Sequence, residues 1–155
     1  MATAYLSIGT NLEDKRRNMT TAAGLLAERV GEILVLSTLY ETKPWGFESE
    51  NTFLNAAVIL ETRLSPLELL DITKQIELEM GRKEKSDGMY KDRIIDIDIL
   101  MYEDVIIQTD ELTIPHPLMH KRNFVLAPLA EIAATLTHPT LKKTIGELYF
   151  SLPTV

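Results

Sequence analysis

Apolar residues recur along this chain with two periods, and the alternation between them sets out the elements. A period of two marks a strand over 4–8, where Ala4, Leu6 and Ile8 share a face. Gly9-Thr10-Asn11 is turn chemistry. A helical period then spans about 13–30, with Met19, Ala22, Ala23, Leu26 and Val30 on one stripe and Gly31 as its stop. Dense β-branched and aliphatic residues predict a second strand over 33–40 and a third over 53–60, with Phe53 and Asn55 on the same side. Ser65-Pro66-Leu67-Glu68 opens a second helix with an N-cap, a proline at the first helical position and a capping-box glutamate. That helix runs to about Met80 with Leu67, Leu70, Ile76 and Met80 on its buried stripe, and Gly81 ends it.

A fourth strand follows over 93–100, Arg-Ile-Ile-Asp-Ile-Asp-Ile-Leu, with four isoleucines in eight residues. Alternation puts Ile95, Ile97, Ile99 and Met101 on a core face and Ile94, Asp96, Asp98 and Leu100 on the other. Glu103-Asp104 reads as a turn into a short strand over 105–108, and Pro115-His116-Pro117 opens a last third with short helices near 123–129 and 145–150. The order βαββαβ predicts an α+β fold: a ferredoxin-like core with a mainly antiparallel sheet flanked by helices in three layers, α/β/α, and a C-terminal helical appendage. The 155 residues are expected to form a single domain, 1–155.

Composition narrows the function. No cysteine is present, which excludes a disulfide framework and a thiolate metal site. The formal net charge of −7 argues against nucleic acid or an anionic membrane as partner. No apolar run approaches the roughly 20 residues of a membrane span and no basic-then-apolar leader opens the chain, so a cytoplasmic protein is expected.

Candidate chemistry concentrates around the fourth strand. Asp96 and Asp98 lie side by side on one sheet face among apolar neighbours, where their mutual repulsion and desolvation are unfavourable. A divalent cation relieves both, and Mg²⁺ takes one or two carboxylates together with substrate phosphates. A wet sheet face bearing two acids is the plain alternative. The segment just before it, from Arg82 to Arg93, holds five basic and three acidic residues, net +2 in an acidic chain. Carboxylates for a metal and arginines for phosphate oxygens suit phosphoryl transfer, whereas a solvated charged loop is the plain reading of the segment alone. No P-loop, no Gly-x-Ser-x-Gly and no dinucleotide fingerprint occurs. The loop over 42–51 carries the only tryptophan beside a Phe, a Pro and a Gly, an aromatic cluster that calls for something to cover it. Read alone, Phe53 and Phe124 are core residues and Glu77 a surface acid.

Taken in order, these segments resemble the 6-hydroxymethyl-7,8-dihydropterin pyrophosphokinase family of folate synthesis over nearly the whole chain. The resemblance rests on Ser7-Ile-Gly-Thr-Asn-Leu12, Tyr40-Glu-Thr-Lys-Pro-Trp-Gly46, Phe53-Leu-Asn-Ala-Ala-Val58, Ile76-Glu-Leu-Glu-Met-Gly-Arg82, the strand from Arg93 to Leu100, Ile114-Pro-His-Pro and Arg122-Asn-Phe-Val-Leu-Ala-Pro-Leu129. It implies transfer of pyrophosphate from ATP to the pterin's hydroxymethyl group, with AMP leaving. It implies that Asp96 and Asp98 hold two Mg²⁺ ions, and that Arg82 and Arg93 are catalytic with them. ATP would be bound by Glu77, Arg82, Arg93, His116 and Arg122. The pterin would lie between Phe53 and Phe124, read by Asn55 with help from Thr42, Pro44 and Trp45. A monomer is expected, with no nucleic-acid or membrane partner. Glu84, Lys91-Asp92 and Pro117 stand where the family often has an arginine, a Gly-Pro pair and an aromatic residue. Another Mg-dependent nucleotidyl or phosphoryl transferase, or a non-catalytic ferredoxin-like module that binds a small molecule, are the alternatives.

Overall fold

A computed structural model of the chain describes residues 1–43, 52–81 and 94–153. The elements are β1 (Ala2–Thr10), α1 (Lys15–Arg29), β2 (Gly31–Leu36), β3 (Tyr40–Thr42), β4 (Phe53–Thr62), α2 (Pro66–Glu79), β5 (Asp96–Tyr102), a hairpin of β6 (Ile107–Gln108) and β7 (Thr113–Ile114), a 3₁₀ turn (Met119–Lys121), α3 (Asn123–Ala133) and α4 (Ile145–Phe150). The main sheet has the order β2-β4-β1-β5, with β3 also on β4, and every pairing in it is antiparallel. With β3 taken as the continuation of β2, that is the ferredoxin-like order, as the element sequence predicts.

Side-chain alternation divides the sheet into two apolar faces. On one, Ala4, Leu6, Ile8, Leu54, Ala56, Val58, Leu60, Ile95, Ile97 and Ile99 pack with Met19, Ala22 and Leu26 of α1 and Leu69 and Ile76 of α2. On the other, Ala57, Leu100 and Met101 pack with Met119, Val125, Leu126 and Leu129 and with Ile145 and Leu148 of α4. Each fully buried Leu or Ile contributes about 1.5–3 kcal/mol relative to exposure, so these two clusters hold the three layers together.

Several expected boundaries shift for identifiable reasons. Gly9 and Thr10 belong to β1, which pairs as far as Thr10↔Leu54; the turn comes after them. Asp14 caps α1 by accepting from the Arg17 amide at 3.2 Å. Gly31 follows the C-cap of α1, Val30, and is also the first residue of β2, where a side chain would place a Cβ 1.8 Å from the Glu61 carbonyl oxygen. The strand expected over 33–40 splits in two. Ser37 exchanges hydrogen bonds with Ala57, and Thr38 turns aside to Glu131, before Tyr40–Thr42 resumes pairing.

In α2 the capping box is present, but Leu67 is 49% exposed; Leu69, Thr73, Ile76 and Glu77 form the buried stripe, with Leu70 and Met80 packed at its margin. In β5 the register slips opposite Tyr5/Leu6, so that Leu100 is the additional residue of a bulge. Met101 therefore joins Leu100 against α3 and α4 instead of sharing the face of Ile95, Ile97 and Ile99. Among the described residues no helix is long and apolar enough to cross a membrane.

Candidate active site

Strand register lines up one row of residues across four strands. Tyr40 pairs with Asn55, Asn55 with Gly9, and Gly9 with Asp96. The next row on the same face joins Ala57, Ser7 and Asp98. Neighbouring strands lie about 4.8 Å apart, so Asn55 and Asp96, two strands apart, have backbones roughly 10 Å from each other. Ala57 belongs to the cluster under α3, and side chains two apart on a strand share a face. Asn55 on β4 and Ser7 and Gly9 on β1 therefore lie on the α3 side of the sheet.

Gly9 shapes the middle of that row. A Cβ at this position would meet the Asn55 side-chain oxygen at 2.8 Å, so the absence of a side chain is what admits the Asn55 carboxamide. Asn55 is 3% exposed, and its Nδ2 donates to Thr42 Oγ1 at 2.7 Å. Thr42 in turn pairs with Phe53 in the β3–β4 ladder. Thr42, Phe53 and Asn55, which the resemblance groups around the pterin, are thus neighbours in the sheet. Pro44, Trp45, Arg82 and Arg93 lie outside the described residues.

The start of β3 is moored from the opposite layer. The Glu131 carboxylate of α3 accepts from the Thr38 hydroxyl at 2.8 Å, from the Thr38 amide at 3.1 Å and from the Tyr40 hydroxyl at 2.8 Å. The Thr38 hydroxyl, and then that of Tyr40, hold the Glu131 carboxyl below the usual carboxylate range. At the entry to β4, Lys15 Nζ donates to Thr52 Oγ1 at 3.1 Å and to its carbonyl at 3.3 Å, while the Thr52 hydroxyl donates to Glu41 at 3.1 Å. The sequence gives little sign of these ties, because the partners of Glu131 and Lys15 are 37 to 93 residues away and that of Glu41 lies across a loop.

Asp96 and Asp98, alternate residues of β5, are both half-buried. Glu77, expected at the surface, is buried at 5% exposure, and its Oε2 accepts from the Ile97 amide at 2.8 Å. Three carboxylates therefore border the start of β5, two as side chains of the strand and one bound to its backbone.

His116 approaches from the far side. Its amide donates to the Leu100 carbonyl at 2.9 Å, and its Nδ1 accepts from the Leu118 amide at 3.2 Å. Burial, and then the positive charge of Arg122, push its pKa down to about 4, against a smaller upward pull from Asp96. The ring is neutral at pH 7, and with Nδ1 accepting, its proton sits on Nε2. Arg122 is the residue before α3, and its guanidinium carbon lies 5.5 Å from the centroid of the half-buried Phe124 ring, a cation–π distance. His116 thus feels the charges of both Arg122 and Asp96.

The donor set suits a hard cation. Asp96 and Asp98 offer only carboxylate oxygens, and among the described residues no group of three or more His, Cys, Asp or Glu side chains forms a closed cage. Mg²⁺ keeps several positions for water and phosphate, so a pair of carboxylates fits it.

Paired acids on an antiparallel α/β/α sheet, with a neutral His that feels both one of them and an Arg, fit a small enzyme of phosphoryl-group transfer. Comparison with known proteins makes the class specific. The family profile described as 7,8-dihydro-6-hydroxymethylpterin-pyrophosphokinase matches residues 5–134. A 2-amino-4-hydroxy-6-hydroxymethyldihydropteridine pyrophosphokinase of Porphyromonas gingivalis is 50% identical over 141 residues, covering 90% of this chain and 95% of its own. One of Aquifex aeolicus, described in the same words, is 44% identical over 147 residues, covering 95% and 90%. Among solved structures, the wild-type HPPK-DHPS of Plasmodium falciparum with pteroate superposes with a TM-score of 0.78 at 21% identity, over 96% of this chain and 42% of that one. That likeness concerns the fold, and this chain spans about two-fifths of that protein's length. The chain belongs to the 7,8-dihydro-6-hydroxymethylpterin pyrophosphokinase family, enzymes that transfer pyrophosphate in folate synthesis.

Proposed function

We propose that the chain, as one catalytic domain in the cytoplasm, acts as a monomer and transfers the β,γ-pyrophosphate of ATP to the hydroxymethyl oxygen of 6-hydroxymethyl-7,8-dihydropterin. The hydroxymethyl oxygen forms a bond to the β-phosphorus and gives up its proton to solvent, the bond from that phosphorus to the α,β-bridging oxygen breaks, and AMP leaves with the bridging oxygen. The single observation that carries this reading is the row Asn55–Gly9–Asp96, which sets a hydrogen-bonding amide and an acid about two strand spacings apart on one sheet face.

Asn55, held by Thr42, reads the polar edge of the pterin, and backbone groups at Pro44 and Trp45 complete that edge. Phe53 lies against one face of the flat ring. Phe124 takes the other with the side that Arg122 does not cover. Asp96 and Asp98 would hold two Mg²⁺ ions, which when bound would supply positive charge to neutralise the triphosphate and polarise its phosphorus. His116 donates from Nε2 to a phosphate oxygen without adding charge. Arg122, Arg82 and Arg93 contribute the positive charge that the triphosphate requires. Glu77 borders the nucleotide beneath β5.

The direct test is to mix the protein with ATP, Mg²⁺ and the hydroxymethyl-dihydropterin and to follow AMP. AMP is expected in step with the pterin diphosphate, and ADP as the product would overturn the reading. Asp96→Ala is expected to lower kcat on the order of 10²–10³-fold or more, as loss of a charge-stabilising group does, with an unchanged far-UV circular dichroism spectrum. Turnover near that of the parent would remove Asp96 from the mechanism.

A further inference from the structure

The buried carboxylate of Glu77 has a partner that a nucleotide contact does not explain. In the sheet order β2-β4-β1-β5, β5 is the terminal strand among the described residues, with β1 as its one ladder partner there. Amides on its outer edge need acceptors from elsewhere, since a buried backbone N–H without one is costly. Glu77, in the last turn of α2, supplies such an acceptor to Ile97 at 2.8 Å. Ile97 stands between Asp96 and Asp98, with its own side chain 6% exposed in the core under α1 and α2.

We propose that Glu77 is a positioning residue for the aspartate pair, acting through the Ile97 amide. Fixing that amide fixes the peptide plane before Ile97, and the buried Ile97 side chain fixes the residue itself. Together they set the directions in which the carboxylates of Asp96 and Asp98 leave the strand. A second contact holds the same junction: Gly81, with φ of 113°, has no Cβ, and one there would lie 2.5 Å from Ile94 Cδ1. The end of α2 and the entry to β5 therefore sit against each other at Gly81 and at Glu77, and the helix carries the metal-facing strand as a splint. What the role requires is a hydrogen-bond acceptor at this point, not a charge.

The inference rests on the reading of Asp96 and Asp98 as metal holders, and the experiment separates the two. Mn²⁺ affinity is measured on the full chain by electron paramagnetic resonance in the presence of α,β-methylene-ATP, for the parent, Glu77→Gln, Glu77→Met and Asp98→Asn, with pterin affinity and kcat in parallel. Glu77→Met fills the same volume with no oxygen and is expected to weaken Mn²⁺ binding about 10–100-fold, with pterin affinity held within about twofold. Glu77→Gln keeps an acceptor and is expected to stay within about threefold of the parent in Mn²⁺ affinity. Amide exchange at Ile97 is expected to accelerate in Glu77→Met and not in Glu77→Gln.

Equal loss of Mn²⁺ affinity in Gln and Met, or parental affinity in Met, overturns the inference while leaving the aspartates' role intact. Unchanged Mn²⁺ binding in Asp98→Asn overturns the metal reading and the inference with it. If Glu77→Met does not fold, Glu77→Gln decides alone: retained affinity supports the splint and a loss of tenfold or more refutes it.

Discussion

His116 has two of its hydrogen-bonding groups committed to the chain itself, the amide to Leu100 and Nδ1 to Leu118. Its pKa, pushed down to about 4 from the ordinary 6.5, follows from burial first and from Arg122 second. The sign of the consequence is definite. Between pH 6.5 and about 4 the unfolded chain takes up a proton at this ring that the folded chain does not, so His116 favours folding above that window and its contribution is lost as pH falls through it. In urea titrations from pH 7 to pH 4, stability is expected to fall more steeply for the parent than for His116→Asn, which has no ring to protonate. Parallel curves would show that the ring is not held neutral.

At this scale the sequence exposes residue types better than their surroundings. The Asp-x-Asp pair, Asn55 and Phe53 are legible because strand alternation dictates which side chains share a face. Glu77 is not. A single glutamate near the end of an amphipathic helix looks solvated, and only the terminal place of β5 in the sheet turns it inward. Gly9 carries a weak signal, a glycine at the end of an apolar strand, but its meaning depends on which carboxamide approaches it.

Helices and strands were easier to foresee than their ends. The capping box of α2 is a local pattern, and it forms as written: Ser65 accepts from the Glu68 amide at 3.2 Å, and Glu68 accepts from the Ser65 amide at 2.8 Å. Ser65→Ala is expected to cost about 1 kcal/mol, a fall in Tm of about 2–4 °C at this chain length, read by calorimetry. Gly31→Ala is expected to cost more. Its Cβ would collide with the Glu61 carbonyl, a backbone group that cannot swing aside, so a loss of at least about 2 kcal/mol is expected in the same measurement. The features that resisted prediction are non-local. The break at Ser37 and Thr38 requires Ala57 and Glu131, the bulge at Leu100 requires the register of β1, and the exposure of Leu67 depends on how α2 lies on the sheet.

For the molecule as a whole, a net charge of −7 opposes the approach of a polyphosphate, and the residues gathered for it must overcome that field locally. Binding is therefore expected to be conditional on the cation. Mg²⁺, ATP analogue and pterin together, each at about a hundred times its dissociation constant, are expected to stabilise the fold by at least about 2.7 kcal/mol. In a thermal scan that is a rise in Tm of several degrees, and excess EDTA is expected to abolish the nucleotide's share while leaving the shift given by pterin alone. A shift from ATP that survives EDTA would mean that the basic residues suffice without metal. The architecture was readable at this scale because six strand and helix signals in the order βαββαβ admit few topologies, while the hairpin of β6 and β7 and the short helices of the last third leave fainter traces.

The alignment of Asn55, Gly9 and Asp96 acts as a ruler whose graduations are the hydrogen bonds between strands. Lengthening a surface connection leaves its scale untouched, whereas one residue inserted inside β1, β4 or β5 turns every later side chain to the wrong side of the sheet. Connections that carry no site residue are free to change in length and composition over time, and the spacing between Asn55 and Asp96 stays the same.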